Sequence, residues 1–228
     1  MPIKTILTND EIQRMIDQTE FIRDKALLSF YADAGCRVSE PLKIKVKDVD
    51  LQSGEVMIPH EKRGIKKKCP GCGFNAGRSQ KFCAKCGTNL TNIQAEGIEE
   101  RTRLITIGDR TLELLRQYME GLDPDDRLFN ISRQWAYYIV RQAGERIGLT
   151  GKIILNPETR KNHFIHPHNF RDSLAVSWLD YAEGDGTKQK ALQDHLGHKS
   201  FNTTMRYYKL TPSQVKKVSD AVRKVRFG

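Results

Sequence analysis

The sequence predicts a mainly α protein with a small antiparallel β-sheet and a small zinc-ribbon-like insertion. Apolar residues recur at three- and four-residue spacing through most of the 228-residue chain, the period of helices with one buried face. Only two short stretches, 55–58 and 103–107, read as strands that match each other. Between them stand two Cys-x-x-Cys-Gly pairs, Cys69/Cys72 and Cys83/Cys86.

Taken in order, the elements justify themselves locally. Thr8 and Glu11 form a capping box, with Ile12, Met15 and Ile16 on one helical face behind it. Residues 21–34 carry Ile22, Leu27, Leu28, Phe30 and Tyr31, and Gly35 ends that helix. Arg37 is thereby set at a turn between helices. Gly54 introduces the strand 55–58, and Arg-Leu-Ile-Thr-Ile at 103–107 is its expected partner. A helix is expected over 111–119 and a turn over 123–126. Ser132 caps a helix over 133–147 with Trp135, Ala136, Ile139 and Val140 as its apolar stripe, ended by Gly148. Residues 150–165 read as a loop, broken at Asn156-Pro157. Pro167 suits the first position of a helix over 167–182, whose core side would hold Ala175, Val176, Trp178 and Leu179. Gly184-Asp185-Gly186 breaks it, a helix over 187–196 ends at Gly197, and a short helix from Ser200 or Asn202 carries Tyr207. Thr211-Pro212-Ser213-Gln214 opens a basic tail helix whose apolar face is Val215, Val218, Val222 and Val225. The organisation expected is a unit over 1–210, interrupted by a metal-binding insertion over 66–98 and followed by the tail 211–228.

About forty residues separate the two strands, and a loop that long inside a compact domain carries a structure of its own. Four thiolates in two knuckles make a tetrahedral Zn²⁺ site from Cys69, Cys72, Cys83 and Cys86. The glycine after each pair lets the backbone turn tightly round the sulfurs. The insertion is too short and polar to fold on its own core, so metal binding supplies its folding energy. A redox Cys-x-x-Cys is the rival reading, and two copies with glycine after both favour metal. The fifth cysteine, Cys36, reads as a small buried hydrophobe.

Net charge is +10 and hydrophobic content 38%. That balance describes a globular polyanion binder, with nucleic acid as the natural partner. No apolar run approaches the ~20 residues of a membrane span, and no signal peptide opens the chain, so a soluble, cytoplasmic, nucleoid-associated protein is expected.

The chemistry-bearing residues cluster late in the chain. His168 and Arg171 stand at i and i+3, one helical face. Leu196-Gly197-His198 follows, then Thr203-Thr204 and Tyr207. Arg forks the oxygens of a phosphate, His moves or donates protons, and Tyr can attack phosphorus. Together with Gly35-Cys36-Arg37-Val38-Ser39-Glu40 near the amino end, this pattern resembles the two conserved boxes of the tyrosine recombinases, the integrases and Xer-type resolvases. The resemblance covers roughly residues 6 to 210 outside the insertion.

It implies the tyrosine recombinase catalytic-domain fold and a specific division of labour. Arg37 and Arg171 would brace the non-bridging phosphate oxygens and His198 would add a hydrogen bond. His168 would handle the nucleophile's proton, and Glu40 would support Arg37 or a histidine. Tyr207 would attack, leaving a 3′-phosphotyrosyl link and a free 5′-hydroxyl. Tyr208 adjoins it, and the Thr-Thr-x-x-Tyr register selects Tyr207. The family also uses a hairpin lysine as general acid; Lys62 is the choice here, with Lys66, Lys67 and Lys68 as rivals. The chemistry would need neither metal nor ATP, the Zn²⁺ being structural. Partners implied are double-stranded DNA and copies of the chain, as a tetramer on DNA. Asp172 stands where the family has a His or basic residue, and Pro41 where it has Leu. The family's amino-terminal clamp domain would precede this chain's first helix. Two alternatives share the observations: relaxation of DNA in the manner of type IB topoisomerases, and a catalytically silent zinc-containing DNA-binding protein.

Overall fold

The chain's first helix is built on its capping box. Thr8 Oγ1 accepts from the Glu11 amide at 3.2 Å and Glu11 Oε2 accepts from the Thr8 amide at 2.8 Å. The computed structural model describes residues 6–59, 66–77, 79–94, 102–149, 154–155, 162–198, 200–205, 207 and 223. Helix α1 (Asn9–Asp17) buries Met15 and Ile16 against α2 (Ile22–Ala34). The latter is buried on every side, through Ala26, Leu27, Leu28, Phe30, Tyr31 and Ala34. It stops at Gly35, in the left-handed region with φ 51°. A β-carbon there would stand 2.7 Å from Leu174 Cδ2 and 2.9 Å from Leu196 Cδ2, so only glycine fits.

Single turns of 3-10 helix at Pro41–Lys43 and Val46–Asp48 lead to β1 (Glu55–Pro59). Two short strands, β2 (Lys66–Lys68) and β3 (Asn75–Gly77), pair with each other before the chain returns as β4 (Thr102–Thr106). Strand β4 lies antiparallel to β1 in the register Val56 with Ile105 and Ile58 with Arg103. The expected hairpin across the long insertion is therefore formed. Val56, Ile58 and Ile105 face inward.

Helix α3 (Asp109–Met119) packs on α2. There Ser29 and Thr111 share a 2.7 Å hydrogen bond and Thr111 Oγ1 donates to Asp33 Oδ2 at 2.6 Å. Ser132 caps α4 (Arg133–Arg146), as its sequence predicts. Helix α5 runs Pro167–Ala182, α6 Gly186–Leu196 and α7 Phe201–Met205. One apolar core joins α1 to α4 and the hairpin, with Phe30 edge-on to Phe129 and Phe129 stacked on Tyr118. A second core, Ala175, Leu179, Leu192 and Leu196, joins α5 to α6, and Tyr207 packs on its margin. A third, small core lies within the insertion: Cys69, Ala76, Cys83 and Leu90.

Three expectations are corrected. Trp135 is half exposed and lies against Tyr138, so the inward stripe of α4 is Ala136, Ile139, Val140 and Ala143. The stretch 150–165 includes a two-residue ladder, β5 (Ile154–Leu155) with β6 (Asn162–His163). Tyr207 sits in a turn after α7, its amide bonded to Thr204 O at 3.0 Å, and not within the helix. The expected tail helix over 211–228 lies outside the described residues apart from Arg223. Among the described residues no helix is long and apolar enough to cross a membrane.

Candidate active site and cysteine cluster

The site assembles where the end of α2, strand β4, the first turns of α5 and the end of α6 meet. Arg171, on α5, is 1% exposed. Its Nη1 donates to Gly35 O and its Nη2 to Leu196 O, each at 2.6 Å. The left-handed turns at Gly35 and Gly197 free those two helix-terminal carbonyls, so a buried guanidinium ties both helix ends together. Burial lowers the Arg171 pKa, yet an arginine keeps its charge in proteins.

Arg37 follows Gly35 by two residues. Glu40, fully buried, accepts the Arg37 amide on Oε2 and Arg37 Nη1 on Oε1, both at 2.8 Å. A further cation that sequence patterns do not single out, Arg103 of β4, donates Nη2 to Glu40 Oε2 at 2.8 Å and Nε to His195 O at 2.9 Å. Burial alone would raise the Glu40 carboxyl; hydrogen bonds and charge from Arg103 and Arg37 outweigh it and hold it below the ordinary range.

His198 lies just past Gly197, with Nδ1 in a 2.8 Å hydrogen bond to Thr204 Oγ1 and its carbonyl accepting Gln193 Nε2 at 2.9 Å. Burial, then the charges of Arg171, Arg37 and Arg103, push its pKa down to about 4. The imidazole is neutral at pH 7, with Nε2 left for another partner. The Tyr207 ring lies parallel to it, centroids 6.1 Å apart. Tyr207 donates its phenol to Asp172 and accepts from Arg171, and burial with the Asp172 charge lifts its pKa to about 12. Asp172 is 5% exposed and its Oδ1 lies 3.6 Å from Nε2 of His168, whose ring is half exposed. The residue standing where the family has a base is thus a buried acid touching both His168 and Tyr207.

Arg37, Arg171, His198 and Tyr207 are therefore brought together, with Glu40 beneath them and His168 at the rim. Lys62 lies outside the described residues. Of its rivals, Lys66 and Lys68 are exposed on β2, and Lys67 Nζ donates to Leu90 O at 2.8 Å. Sequence reasoning misses Arg103 and His195. An arginine on the inward register of a strand, two residues before a buried isoleucine, is the signal that could have found Arg103.

In the insertion the sulfurs of Cys69, Cys72, Cys83 and Cys86 lie within 4.8 Å of one another. Cys69 and Cys86 are 3.4 Å apart and Cys72 and Cys83 3.6 Å, far longer than a disulfide. Tetrahedral thiolates 2.3 Å from a zinc ion would stand about 3.8 Å apart, so the cluster fits a metal ion of that kind. Hydrogen bonds from Thr88 lower the Cys86 thiol to about 6, while Cys72, hydrogen-bonded to the other sulfurs of the cluster, is pushed up to about 12, so without a metal the thiols share their protons unequally.

A cluster of guanidiniums around a buried carboxylate, with a phenol bonded to one of them, defines a class, and the chain belongs to the phage integrase family. That family's model matches residues 5–72 and 84–214, skipping only the stretch that runs from the first cysteine pair into the second. Tyrosine recombinase XerD of Bifidobacterium longum is 28% identical over 215 residues, 91% of this chain and 58% of that protein. A probable integrase/recombinase of Methanocaldococcus jannaschii is 30% identical over 195 residues, 82% of this chain and 45% of that one. The chain thus spans about half the length of the curated relatives it matches. Among solved structures, XerA recombinase superposes with a TM-score of 0.63 at 22% identity, over 98% of this chain and 66% of that one. XerH site-specific recombinase bound to its difH substrate superposes with 0.58 at 19%, over 96% and 55%. The shared fold is the mainly helical one with small antiparallel sheets, as the sequence predicts.

Proposed function

We propose that this chain is the catalytic part of a site-specific DNA recombinase, which cuts and rejoins duplex DNA through a 3′-phosphotyrosyl intermediate. The clustering of Arg37, Arg171, His198 and Tyr207 carries this reading. A phosphodiester repels nucleophiles because it is anionic, and the guanidiniums of Arg37 and Arg171, with the His198 imidazole as a donor, would answer that charge. The Tyr207 oxygen forms a bond to phosphorus as the bond to the 5′-oxygen breaks. The phenol loses its proton toward Asp172 and His168, and the 5′-oxygen gains one from a hairpin lysine, a role we assign to Lys62. Reversal by another 5′-hydroxyl reseals the strand with no ATP, since the link conserves the bond's energy.

Duplex DNA is the substrate this reading requires, and four protomers on DNA the assembly in which two duplexes exchange strands. Such an enzyme works where its DNA lies, in the cytoplasm at the nucleoid. The unit over 1–210, the insertion over 66–98 and the tail 211–228 are the divisions we assign. In the insertion Cys69, Cys72, Cys83 and Cys86 would hold a structural Zn²⁺. Residues 66–94 contain no Asp or Glu. Lys66, Lys68, Lys81 and Lys85 are exposed there, as are Phe74 and Phe82. These lysines we assign to the phosphate backbone outside the cleavage site.

A nicked suicide duplex tests the chemistry: the protein should trap a covalent adduct and Tyr207→Phe should not. An adduct retained by Tyr207→Phe removes the nucleophile assignment, and its absence from both leaves a DNA-binding protein. Relaxation of supercoiled DNA without strand exchange between duplexes would favour the topoisomerase-like alternative.

A further inference from the structure

Arg103 is the feature that the proposed division of labour leaves unused. Its side chain is 9% exposed, on the strand that returns from the cysteine insertion. Two of its nitrogens are committed, to Glu40 Oε2 and to His195 O. The third, Nη1, is buried with no hydrogen-bond partner among the described residues. A buried guanidinium with an unmade bond, beside Arg37 and Arg171, is costly for a fold to keep. Its pairing with the buried Glu40 accounts for one nitrogen and its bond to His195 O for another, but neither accounts for the orphaned Nη1.

Its two bonds say what it holds. Glu40 is the carboxylate that grips both the amide and the guanidinium of Arg37. His195 O is adjacent to Leu196 O, the carbonyl taken by Arg171, and Gly197 and His198 follow at once. Arg103 and Arg171 thus clasp neighbouring carbonyls at one helix end, where the backbone dipole favours cations. One side chain links the support of Arg37 to the segment that presents His198.

We propose that Arg103 is a positioning residue for cleavage, fixing Arg37 through Glu40 and His198 through the end of α6. It touches neither the phosphate nor the nucleophile. The assignment rests on the proposed cleavage chemistry for one of its two measurements, and the other needs no DNA.

With the nicked duplex under single-turnover conditions, Arg103→Lys and Arg103→Met should form adduct more slowly by about tenfold or more at saturating DNA, as small misplacements in a reacting array do. The half-saturating DNA concentration should stay within about twofold of the parent's, because Arg103 makes no ground-state bond to DNA. Guanidinium ion added to Arg103→Ala should restore part of the rate. In the DNA-free protein, nitrogen NMR of the His198 ring should show its Nδ1 bond to Thr204 weakened in Arg103→Lys, where charge is kept and the fork is removed. A folded Arg103→Lys with the parent's rate overturns the proposal, and so does a loss confined to DNA affinity. If the parent forms no adduct, the cleavage reading fails by itself and the His198 spectrum decides: an unchanged ring in Arg103→Lys overturns the positioning role.

Discussion

His198 meets three arginines from inside the protein, and its pKa of about 4 against an ordinary 6.5 links folding to pH. A histidine whose folded value lies below its unfolded one stabilises the fold fully above the unfolded value, and that stabilisation is lost as pH falls through the window down to the folded value. Melting temperature should therefore drop between pH 6.5 and pH 4, and His198→Gln should flatten that drop. His195, lowered by its burial, adds in the same direction. Glu40 contributes only at lower pH, because its own value is depressed. Equal slopes for the parent and His198→Gln would show that the ring is not held neutral. Tyr207 responds to a second residue. Burial is the larger cause of its raised pKa, with the Asp172 carboxylate next. Asp172→Asn should accordingly bring the phenol part of the way down, read by NMR titration of labelled tyrosine. A phenol that does not move in that variant would remove Asp172 from contact with the nucleophile.

Gly35 shows how an element boundary becomes part of a site. It ends α2 in a left-handed turn, leaves no room for a β-carbon, and offers its carbonyl to Arg171. Gly35→Ala should cost about 1–2 kcal/mol for the conformation alone, more with the clash against Leu174 and Leu196, and should slow adduct formation as Arg171 shifts. Thermal melting and the adduct assay check the two effects separately. The cysteine element behaves differently. Among the described residues its buried core is two of its own cysteines with Ala76 and Leu90, and Cys72 and Ile93 pack against them. Chelation, or Cys72→Ser, should melt it while the helical circular dichroism of the rest persists. Structure retained by this segment in metal-free protein would mean that the thiols pack without an ion. Legibility also divides by element. Pro167 at the first position and Gly184 behind the last turn delimit α5 in the sequence as in the structure. Trp135 escapes such a reading because helical period alone does not say which of two adjoining apolar residues turns inward. The pair β5 and β6 is too short for alternation to register at all.

At the scale of the molecule, the sequence displays the residues that would touch a substrate and one that holds them, Glu40, and leaves Arg103 out of view. Arg37, Arg171, His198 and Tyr207 carry chemistry legible in their types and spacing. The neighbouring carbonyls that Arg103 and Arg171 take depend on packing between residues far apart in the chain, and the inward register of Arg103 on its strand does not say what it bonds. Charge acts at the same scale. With a net +10, binding to duplex should weaken steeply with salt. Replacing Lys66, Lys68, Lys81 and Lys85 by Gln should reduce the slope of log affinity against log salt by about 0.9 for each phosphate no longer neutralised. An unchanged slope would place the insertion away from DNA, whatever the fate of the cleavage reaction.

The pairing of Ile58 with Arg103 constrains how this protein can vary. Side chains alternate between the two faces of a strand, so sliding β4 by one position along β1 would turn Arg103 outward and bring Thr102 or Leu104 into its place. Glu40 would then be deprived of one of its two cations, and the last carbonyls of α6 of one of their clasps. Any change in the length of the cysteine segment must therefore still deliver both flanking strands in step.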